Sequence, residues 1–519
     1  MADLSLPLLI QQMLQPEFYP HPVETPIQLI QTHISYVFLT GEYAYKVKKA
    51  VDFGFLSYAT LEKRHHFCHE ELRLNKRAAA PIYLEVLPIA QEGETHILGS
   101  TENPVEYTIK MRQFPQSTLL SRMFERDELT EALLRQLAEA IARFHQSAEV
   151  NDHIRSFGIL EKVRQPFDEN YEQTVDFIGG PQTQQQFDET KAYTDKFFAT
   201  QQTLLQQRVS QDKIRACHGD LHLDNICYWQ NQLLLFDCIE FNEPFRFVDV
   251  MYDIAYTVRD LTVRGRPDLA AAFISHYVEH TGDWEGLQIL PLYVSRQAYV
   301  RAKILSFLLN DPGVSTEAKQ QASTEAAEHY KLAWTFIHPQ QGRIFIMAGL
   351  SGSGKSTVAR ELSRQLGAIH LRSDAVRKHI AGIPVEQRGD DTLYTPEMSH
   401  QTYDRLIALG VLLASQGYTV ILDAKFDRET TRQAAIAQAQ SQSLDLTIVH
   451  CTAPPETLKQ RVQARQHDIA DATLAVLEKQ TLDPFTANET DHLVTVDTTQ
   501  PLSPQLVTII GAQRTSGAN

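Results

Sequence analysis

The segment that most constrains this chain is residues 349–357, which read Gly-Leu-Ser-Gly-Ser-Gly-Lys-Ser-Thr. Its glycines let backbone N–H groups approach a phosphate, while Lys355 reaches the outer phosphates and the Ser356 hydroxyl is a magnesium ligand. Apolar patterning predicts a strand over 343–348 and a helix over 356–366. The candidate phosphate-binding residues are Gly349, Ser351, Gly352, Ser353, Gly354, Lys355, Ser356 and Thr357.

Length and composition point to a globular protein of several parts. The chain has 519 residues, which predicts roughly three domains or subdomains. It is 43% apolar and 22% charged, as is typical of water-soluble domains. Apolar runs stay below the roughly 18 residues of a membrane span, and the N-terminus lacks the pattern of a signal peptide. We therefore expect a cytoplasmic protein with no membrane segment.

The charge balance bears on the partners of the chain. Its 48 Lys and Arg residues against 64 Asp and Glu residues give a net charge of −16. Residues 341–519 hold 17 of the basic and 19 of the acidic residues, so this part is nearly neutral. Strong negative charge disfavours nucleic acid as a partner of the first 340 residues and leaves it open for the remainder. Five cysteines without paired C-x-x-C spacing predict neither disulfides nor a zinc site.

A Pro/Gly break at 337–342 predicts a domain boundary just before the phosphate-loop strand. We therefore divide the chain into residues 1–340 and 341–519. Within the first part, alternating residues at 35–49 predict a hairpin around Thr40–Glu42, and helical patterns dominate after residue 129. This order predicts a small sheet lobe at about 1–115 and a helical lobe at about 116–340.

A second phosphate-handling pattern lies at 218–225, which reads His-Gly-Asp-Leu-His-Leu-Asp-Asn. It places Asp220 five residues before Asn225, the interval of the catalytic loop in protein kinases. An apolar strand that ends in Asp237 follows. Phosphoryl transfer needs one carboxylate for the acceptor hydroxyl, and an amide with a second carboxylate for magnesium. We interpret Asp220 as the base and Asn225 and Asp237 as metal ligands.

These residues resemble the aminoglycoside phosphotransferase and choline kinase group over residues 30–310. The resemblance implies an α+β protein-kinase-like domain in which Lys46 or Lys48 contacts the nucleotide phosphates and Glu71 pairs with the lysine. It also implies a phosphate lid, which we expect at the Thr40–Glu42 hairpin. Two further acids, Asp249 and Asp253, face a cleft or, as we prefer, support the catalytic loop by hydrogen bonds.

Beyond the phosphate loop, strand-like runs end near Asp374 and at Asp423, and Arg461 and Arg465 are spaced to share one helical face. This order resembles the P-loop kinases that include polynucleotide 5′-kinase, zeta toxins, gluconate kinase and chloramphenicol phosphotransferase. The resemblance implies an α/β domain with a mostly parallel sheet. It assigns Asp374 to the acceptor hydroxyl, Asp423 to magnesium, and both arginines to a lid over the transferring phosphate.

The combined order resembles bacterial fusions of an aminoglycoside phosphotransferase-like domain with an AAA-type kinase. It implies an ATP- and Mg²⁺-dependent phosphotransferase with two nucleotide sites that acts on a hydroxyl of a small molecule. Two alternatives stay open: the front domain is a ligand-sensing module that controls the P-loop domain, or the P-loop domain is a nucleic-acid 5′-hydroxyl kinase. The acceptor and the oligomeric state are left undetermined.

Overall fold

The computed structural model describes residues 6–387, 389, 391–464, 477–478 and 480–511. The strands are β1 Gln28–Gln31, β2 Ser35–Leu39, β3 Tyr43–Lys48, β4 Tyr83–Glu92, β5 Thr95–Leu98, β6 Pro104–Arg112, β7 Ile214–Ala216, β8 Ile226–Trp229, β9 Gln232–Leu235, β10 Phe247–Asp249, β11 Arg343–Ala348, β12 Ile369–Arg372, β13 Thr419–Asp423, β14 Asp445–Thr452 and β15 Leu493–Asp497. The helices are α1 Leu8–Gln12, α2 Leu61–Ala79, α3 Leu120–Glu125, α4 Glu131–Ser147, α5 Asp152–Arg155, α6 Leu160–Glu172, α7 Gln184–Thr200, α8 Gln202–Ser210, α9 Glu243–Arg246, α10 Val250–Val263, α11 Pro267–Thr281, α12 Leu290–Phe307, α13 Thr316–Phe336, α14 Lys355–Leu366, α15 Ser373–Ile380, α16 Pro396–Ser415, α17 Glu429–Ser441, α18 Pro455–Gln463, α19 Ala487–Thr490 and α20 Leu502–Gly511.

The chain folds into two compact units that interleave along the sequence. The first unit contains residues 1–130, 147–163 and 202–257. The second contains residues 131–146, 164–201 and 258–519. Helices α7, α11, α12 and α13 therefore belong to the same unit as the phosphate loop.

The first unit is built on a six-stranded antiparallel sheet in the order β1-β2-β3-β6-β4-β5. Helix α2 begins after Thr60, whose side chain accepts the Lys63 N–H, and it packs on β4 and β6. This unit also contains two small antiparallel sheets of two strands each, β7 with β10 and β8 with β9. The predicted sheet-rich lobe of kinase type, with its hairpin at 35–49, is confirmed.

The second unit contains a five-stranded parallel sheet in the order β12-β13-β11-β14-β15. Buried apolar residues of β11, β13 and β14 form its core with α14. The predicted strand at 343–348 is β11, and the predicted helix after it is α14. The parallel sheet with its loop between β11 and α14 confirms the P-loop NTPase architecture.

Helices α12 and α13 pack along each other in the second unit, and α13 also contacts α7. Helix α11 packs on α14 and β12. Within the described ranges, none of the helices is long and apolar enough to cross a membrane.

Candidate active sites

The loop that carries Asp220 is supported by a buried acid on α10. One carboxylate oxygen of Asp253 accepts the backbone N–H of His218 at 3.0 Å, and the other accepts that of Gly219 at 2.7 Å. Gly219 has a φ of 87°, and a Cβ there would lie 2.7 Å from the Phe245 carbonyl oxygen. The expected supporting role of Asp253 is confirmed, and a glycine is required at this turn.

Three predicted residues of the first site lie in one neighbourhood. The Asn225 side-chain N–H donates to the Asp220 carboxylate at 3.1 Å and to its carbonyl oxygen at 3.0 Å. Asp237 follows β9 with a φ of 63°, an uncommon conformation for a non-glycine residue. Asp220 and Asp237 are close enough for their charges to interact. The structure thus brings the predicted base and both predicted metal ligands together.

The two lysines of β3 both reach Glu71, but in different environments. Lys46 Nζ lies 2.8 Å from Glu71 Oε1 and 2.5 Å from Asp237 Oδ1. Lys48 Nζ lies 2.5 Å from Glu71 Oε2, contacts Glu240, and is only 1% exposed. Burial acts to lower the pKa of Lys46, but the Asp237 and Glu71 carboxylates outweigh it and raise that pKa. Lys46 is therefore the lysine that connects the sheet to Asp237, the predicted metal ligand.

A cavity of about 290 Å³ opens beside Lys46 and Asp237. Most of its lining is apolar and comes from β2, β3, β6 and the segment after β6. The apolar lining residues are Ile30, Ile34, Val37, Leu39, Ala44, Ile82, Met111, Phe114, Leu119 and Phe236. An apolar slot with charged groups at one end suits a nucleotide, since the base needs apolar walls and the phosphates need a cation.

The turn at this cavity differs from the expected lid. Thr32 and Ile34, in the turn between β1 and β2, line the cavity, whereas the Thr40–Glu42 hairpin is not part of the lining. The turn at 32–34 therefore borders the cavity, and the role of the Thr40–Glu42 hairpin as a phosphate lid stays a prediction. The Thr32 hydroxyl accepts the Ser35 N–H at 2.9 Å, so a side chain rather than a glycine stabilises this turn.

In the second unit, the phosphate loop has the conformation that its glycines permit. Gly349, Gly352 and Gly354 have φ values of 139°, 80° and 89°. A Cβ on Gly352 would lie 2.6 Å from the Leu458 carbonyl oxygen. Lys355 opens α14, and its Nζ donates to the Leu350 carbonyl oxygen at 2.8 Å. Lys355 thus lies along the loop that it is predicted to serve.

The ends of β12 and β13 hold the predicted magnesium ligand. Asp423 is 5% exposed, its carboxylate lies 3.1 Å from His370 Nε2, and the Ser356 hydroxyl is near enough to influence the carboxylate. Burial would raise the pKa of Asp423, but His370, Arg372 and Ser356 together lower it to about 2. A carboxylate beside a hydroxyl is a pair of hard oxygen ligands, which fits Mg²⁺.

Asp374 lies in the first turn of α15, one turn before Arg377. Arg377 Nη1 lies 2.8 Å from Asp374 Oδ1, and its guanidinium stacks on the Tyr394 ring at 4.8 Å. The Asp374 side chain is 23% exposed, so a substrate can reach it. Among the described residues, the buried Arg377 Nε has no hydrogen-bond partner.

The predicted lid arginines have different outcomes. Arg461 Nη1 donates to the Thr498 hydroxyl at 2.8 Å and lies 3.4 Å from the Gly352 carbonyl oxygen. Its guanidinium therefore lies against the loop, and a contact with the transferring phosphate stays a prediction. Arg465 lies outside the described residues.

Sequence reasoning missed several residues at the second site. The Gln480 side chain accepts the Ser351 N–H at 2.9 Å and donates to the Ser351 hydroxyl at 3.0 Å. Thr498 donates to the Ser353 carbonyl oxygen at 2.8 Å. These residues are more than 120 positions from the loop, and no local pattern marks them. A role for His370 near Asp423 could have been predicted, because strand alternation places His370 on the same face as Arg372, which pairs with Asp423 across the sheet.

Two family models match the chain, over ranges that contain the two candidate sites. Residues 66–290 match the family model described as "Phosphotransferase enzyme family", and residues 344–483 match the model described as "AAA domain". The first range contains the 218–225 loop with Asp237, and the second contains the phosphate loop with Asp374 and Asp423.

Among individual proteins, Rv2004c of Mycobacterium tuberculosis is 28% identical over 462 residues, which cover 88% of this chain and 90% of that protein. A shikimate kinase of Geobacter sulfurreducens is 28% identical over 159 residues, or 28% of this chain and 86% of that enzyme. Among solved structures, an amicoumacin kinase with AMP-PNP, Ca²⁺ and its ligand is 14% identical, with a TM-score of 0.40. That match covers 62% of this chain and 92% of that chain.

Proposed function

Because the chain joins a phosphotransferase-family domain to a C-terminal P-loop kinase-like domain and is an ATP-dependent phosphotransferase, we propose that it has two nucleotide sites. Each would transfer the γ-phosphate of ATP to a hydroxyl of a small molecule. We further propose that the sequence limit between the two kinase domains lies at residue 340, although several helices before it belong to the same unit as the phosphate loop, and that the protein works in the cytoplasm.

The observation that carries the two-site proposal is the position of Lys46. It bridges Glu71 and Asp237 at the charged end of an apolar cavity. A ligand-sensing domain without catalytic activity would need the cavity, but it would not need Asp220 and Asn225 close to Asp237. This arrangement favours an active front domain over the regulatory alternative.

At the first site, Lys46 would bind the nucleotide phosphates, and Asn225 and Asp237 would hold Mg²⁺. The bound ion neutralises charge on the phosphates. Asp220 would orient the acceptor hydroxyl and take its proton. The acceptor oxygen then forms a bond to the γ-phosphorus while the bond to the β-phosphate oxygen breaks, which leaves ADP.

At the second site, the loop amides and Lys355 would bind the phosphates, and Ser356 and Asp423 would hold Mg²⁺. The Lys355 ammonium has three N–H donors, so it can bind phosphate and keep its bond to the Leu350 carbonyl oxygen. Asp374 would accept the proton of the acceptor hydroxyl. Arg461 would stabilise the phosphate loop through its contacts with Thr498 and the Gly352 carbonyl oxygen. Both sites use the same cofactors, ATP and Mg²⁺.

The test is transfer of labelled γ-phosphate from ATP into a metabolite pool by the full-length chain, with Asp220→Asn and Lys355→Ala as variants. Two independent kinases predict different products, each lost in one variant only. Loss of every product in Lys355→Ala, with Asp220→Asn unaffected, would contradict the two-site proposal and favour a sensor. Transfer to 5′-hydroxyl oligonucleotides that depends on Lys355 would instead support the nucleic-acid kinase.

A further inference from the structure

Helix α11 makes paired contacts with strand β12 in the second unit. The Ser275 hydroxyl accepts the His370 backbone N–H at 3.0 Å, and Glu279 forms an ion pair with Arg372 at 3.8 Å. Ser275 and Glu279 are one helical turn apart, and His370 and Arg372 are two strand positions apart. Ser275 and Glu279 therefore lie on one face of α11, and His370 and Arg372 lie on the face of β12 that contacts it.

These contacts are shielded from water and fixed in orientation. Ser275 is 4% exposed and donates its own hydroxyl hydrogen to the Ala271 carbonyl oxygen, which leaves its lone pairs for His370. The Glu279 and Arg372 side chains are each 13% exposed. The Glu279 carbonyl oxygen also lies 2.8 Å from His379 Nε2 on α15, the helix that carries Asp374.

The held residues of β12 both act on Asp423. His370 Nε2 lies 3.1 Å from its carboxylate, and Arg372 is its direct neighbour across the parallel strands. The Ser356 hydroxyl is near enough to Asp423 to influence its carboxylate. A continuous path thus runs from α11 through β12 to the pair of oxygen ligands predicted for Mg²⁺.

We propose that Ser275 and Glu279 are positioning residues of the P-loop site, and that they set how His370 and Arg372 hold Asp423 against Ser356. The inference rests on the proposed function of that site. Helix α11 lies within the range matched by the phosphotransferase family, so one family's helix completes the metal end of the other family's site.

The direction of the effect follows from competition for Arg372. With Glu279 neutralised, the Arg372 guanidinium loses an acidic partner and interacts more strongly with Asp423. That change draws the carboxylate away from Ser356 and weakens the site for Mg²⁺. Losing the partner of a metal ligand typically lowers metal affinity on the order of tenfold or more.

The experiment measures the binding of a fluorescent ATP analogue to the full-length chain as Mg²⁺ is titrated. Only the part of the binding signal that Lys355→Ala abolishes is analysed, because that part reports on the P-loop site. Glu279→Gln is expected to raise the Mg²⁺ concentration at half-saturation on the order of tenfold, and analogue binding in EDTA should not change. The matched control is Glu285→Gln, which removes a different glutamate–arginine ion pair of the same unit, between Glu285 and Arg405.

Equal midpoints for Glu279→Gln and Glu285→Gln would overturn the inference. If circular dichroism shows that Glu279→Gln does not fold, Ser275→Ala tests the same inference through His370. A wild-type Mg²⁺ midpoint in Ser275→Ala would then overturn the inference. Normal Mg²⁺-dependent binding without phosphate transfer would refute the proposed function alone. A wild-type chain without Lys355-dependent binding would refute both.

Discussion

The two lysines of β3 lead to a prediction that separates stability from catalysis. Lys48 is fully buried between Glu71 and Glu240, and it also contacts the Tyr58 hydroxyl. Replacing it by methionine leaves the buried Glu240 carboxylate without its lysine, and leaves Glu71 with Lys46 alone. Breaking a buried ion pair from one side costs about 3–5 kcal/mol. Lys46 is more exposed, and its partner Asp237 is 46% exposed, so water can compensate for its loss.

The assay is thermal unfolding of Lys48→Met, Lys46→Met and, as a matched surface control, Lys49→Met. For a unit of this size, Lys48→Met is expected to lower the melting temperature of the first unit by roughly 10 °C. Lys46→Met should stay within a few degrees of wild type and lose the products that depend on Asp220. A Lys48→Met shift no larger than that of Lys46→Met would refute the assignment of the structural and the catalytic lysine.

Three further predictions concern other carboxylates and the phosphate loop. The pKa of Asp423 is about 2, below its ordinary value, so ionised Asp423 stabilises the fold by about 2 kcal/mol above pH 4, and this stabilisation is lost towards pH 2. In EDTA, the difference in unfolding free energy between wild type and Asp423→Asn should therefore become smaller from pH 6 to pH 3. A difference that stays constant over this range would contradict the prediction. Asp253→Asn leaves a buried loop N–H without its acceptor, which should cost about 1–3 kcal/mol in urea unfolding and abolish only the Asp220-dependent products. Gln480→Ala frees the Ser351 N–H for phosphate and should tighten Lys355-dependent nucleotide binding roughly three- to tenfold in a fluorescence titration, whereas weaker binding would mean that Gln480 assists the nucleotide.

Both candidate sites could be predicted from sequence because their chemistry is concentrated in short segments. The 349–357 loop and the 218–225 loop each place backbone turns and functional side chains within nine residues. Strand alternation likewise predicted that Lys46 and Lys48 share a face. Alternation could not tell which lysine lines the cavity, since that depends on Glu240, almost 200 residues away.

The missed features depend on long-range packing. The turn at 32–34 lies over the cavity only because β1 pairs with β2, and the few residues of β1 carry little pattern. The contacts of His370 with Ser275 and Asp423 join three elements from distant parts of the chain. The helical pattern of 267–281 predicts a helix, but it does not indicate that β12 will be its neighbour.

The interleaving of the two units has a consequence for synthesis on the ribosome. The chain passes from one unit to the other after residues 130, 146, 163, 201 and 257. Domains usually fold in order as they emerge, N-terminal part first. Here α4 and α7 emerge long before most of their unit exists, and α7 contacts α13, which begins more than 100 residues after α7 ends. We expect translation speed after residue 201 to affect the yield of native protein, and a nascent chain stalled near residue 257 to be a natural client of chaperones.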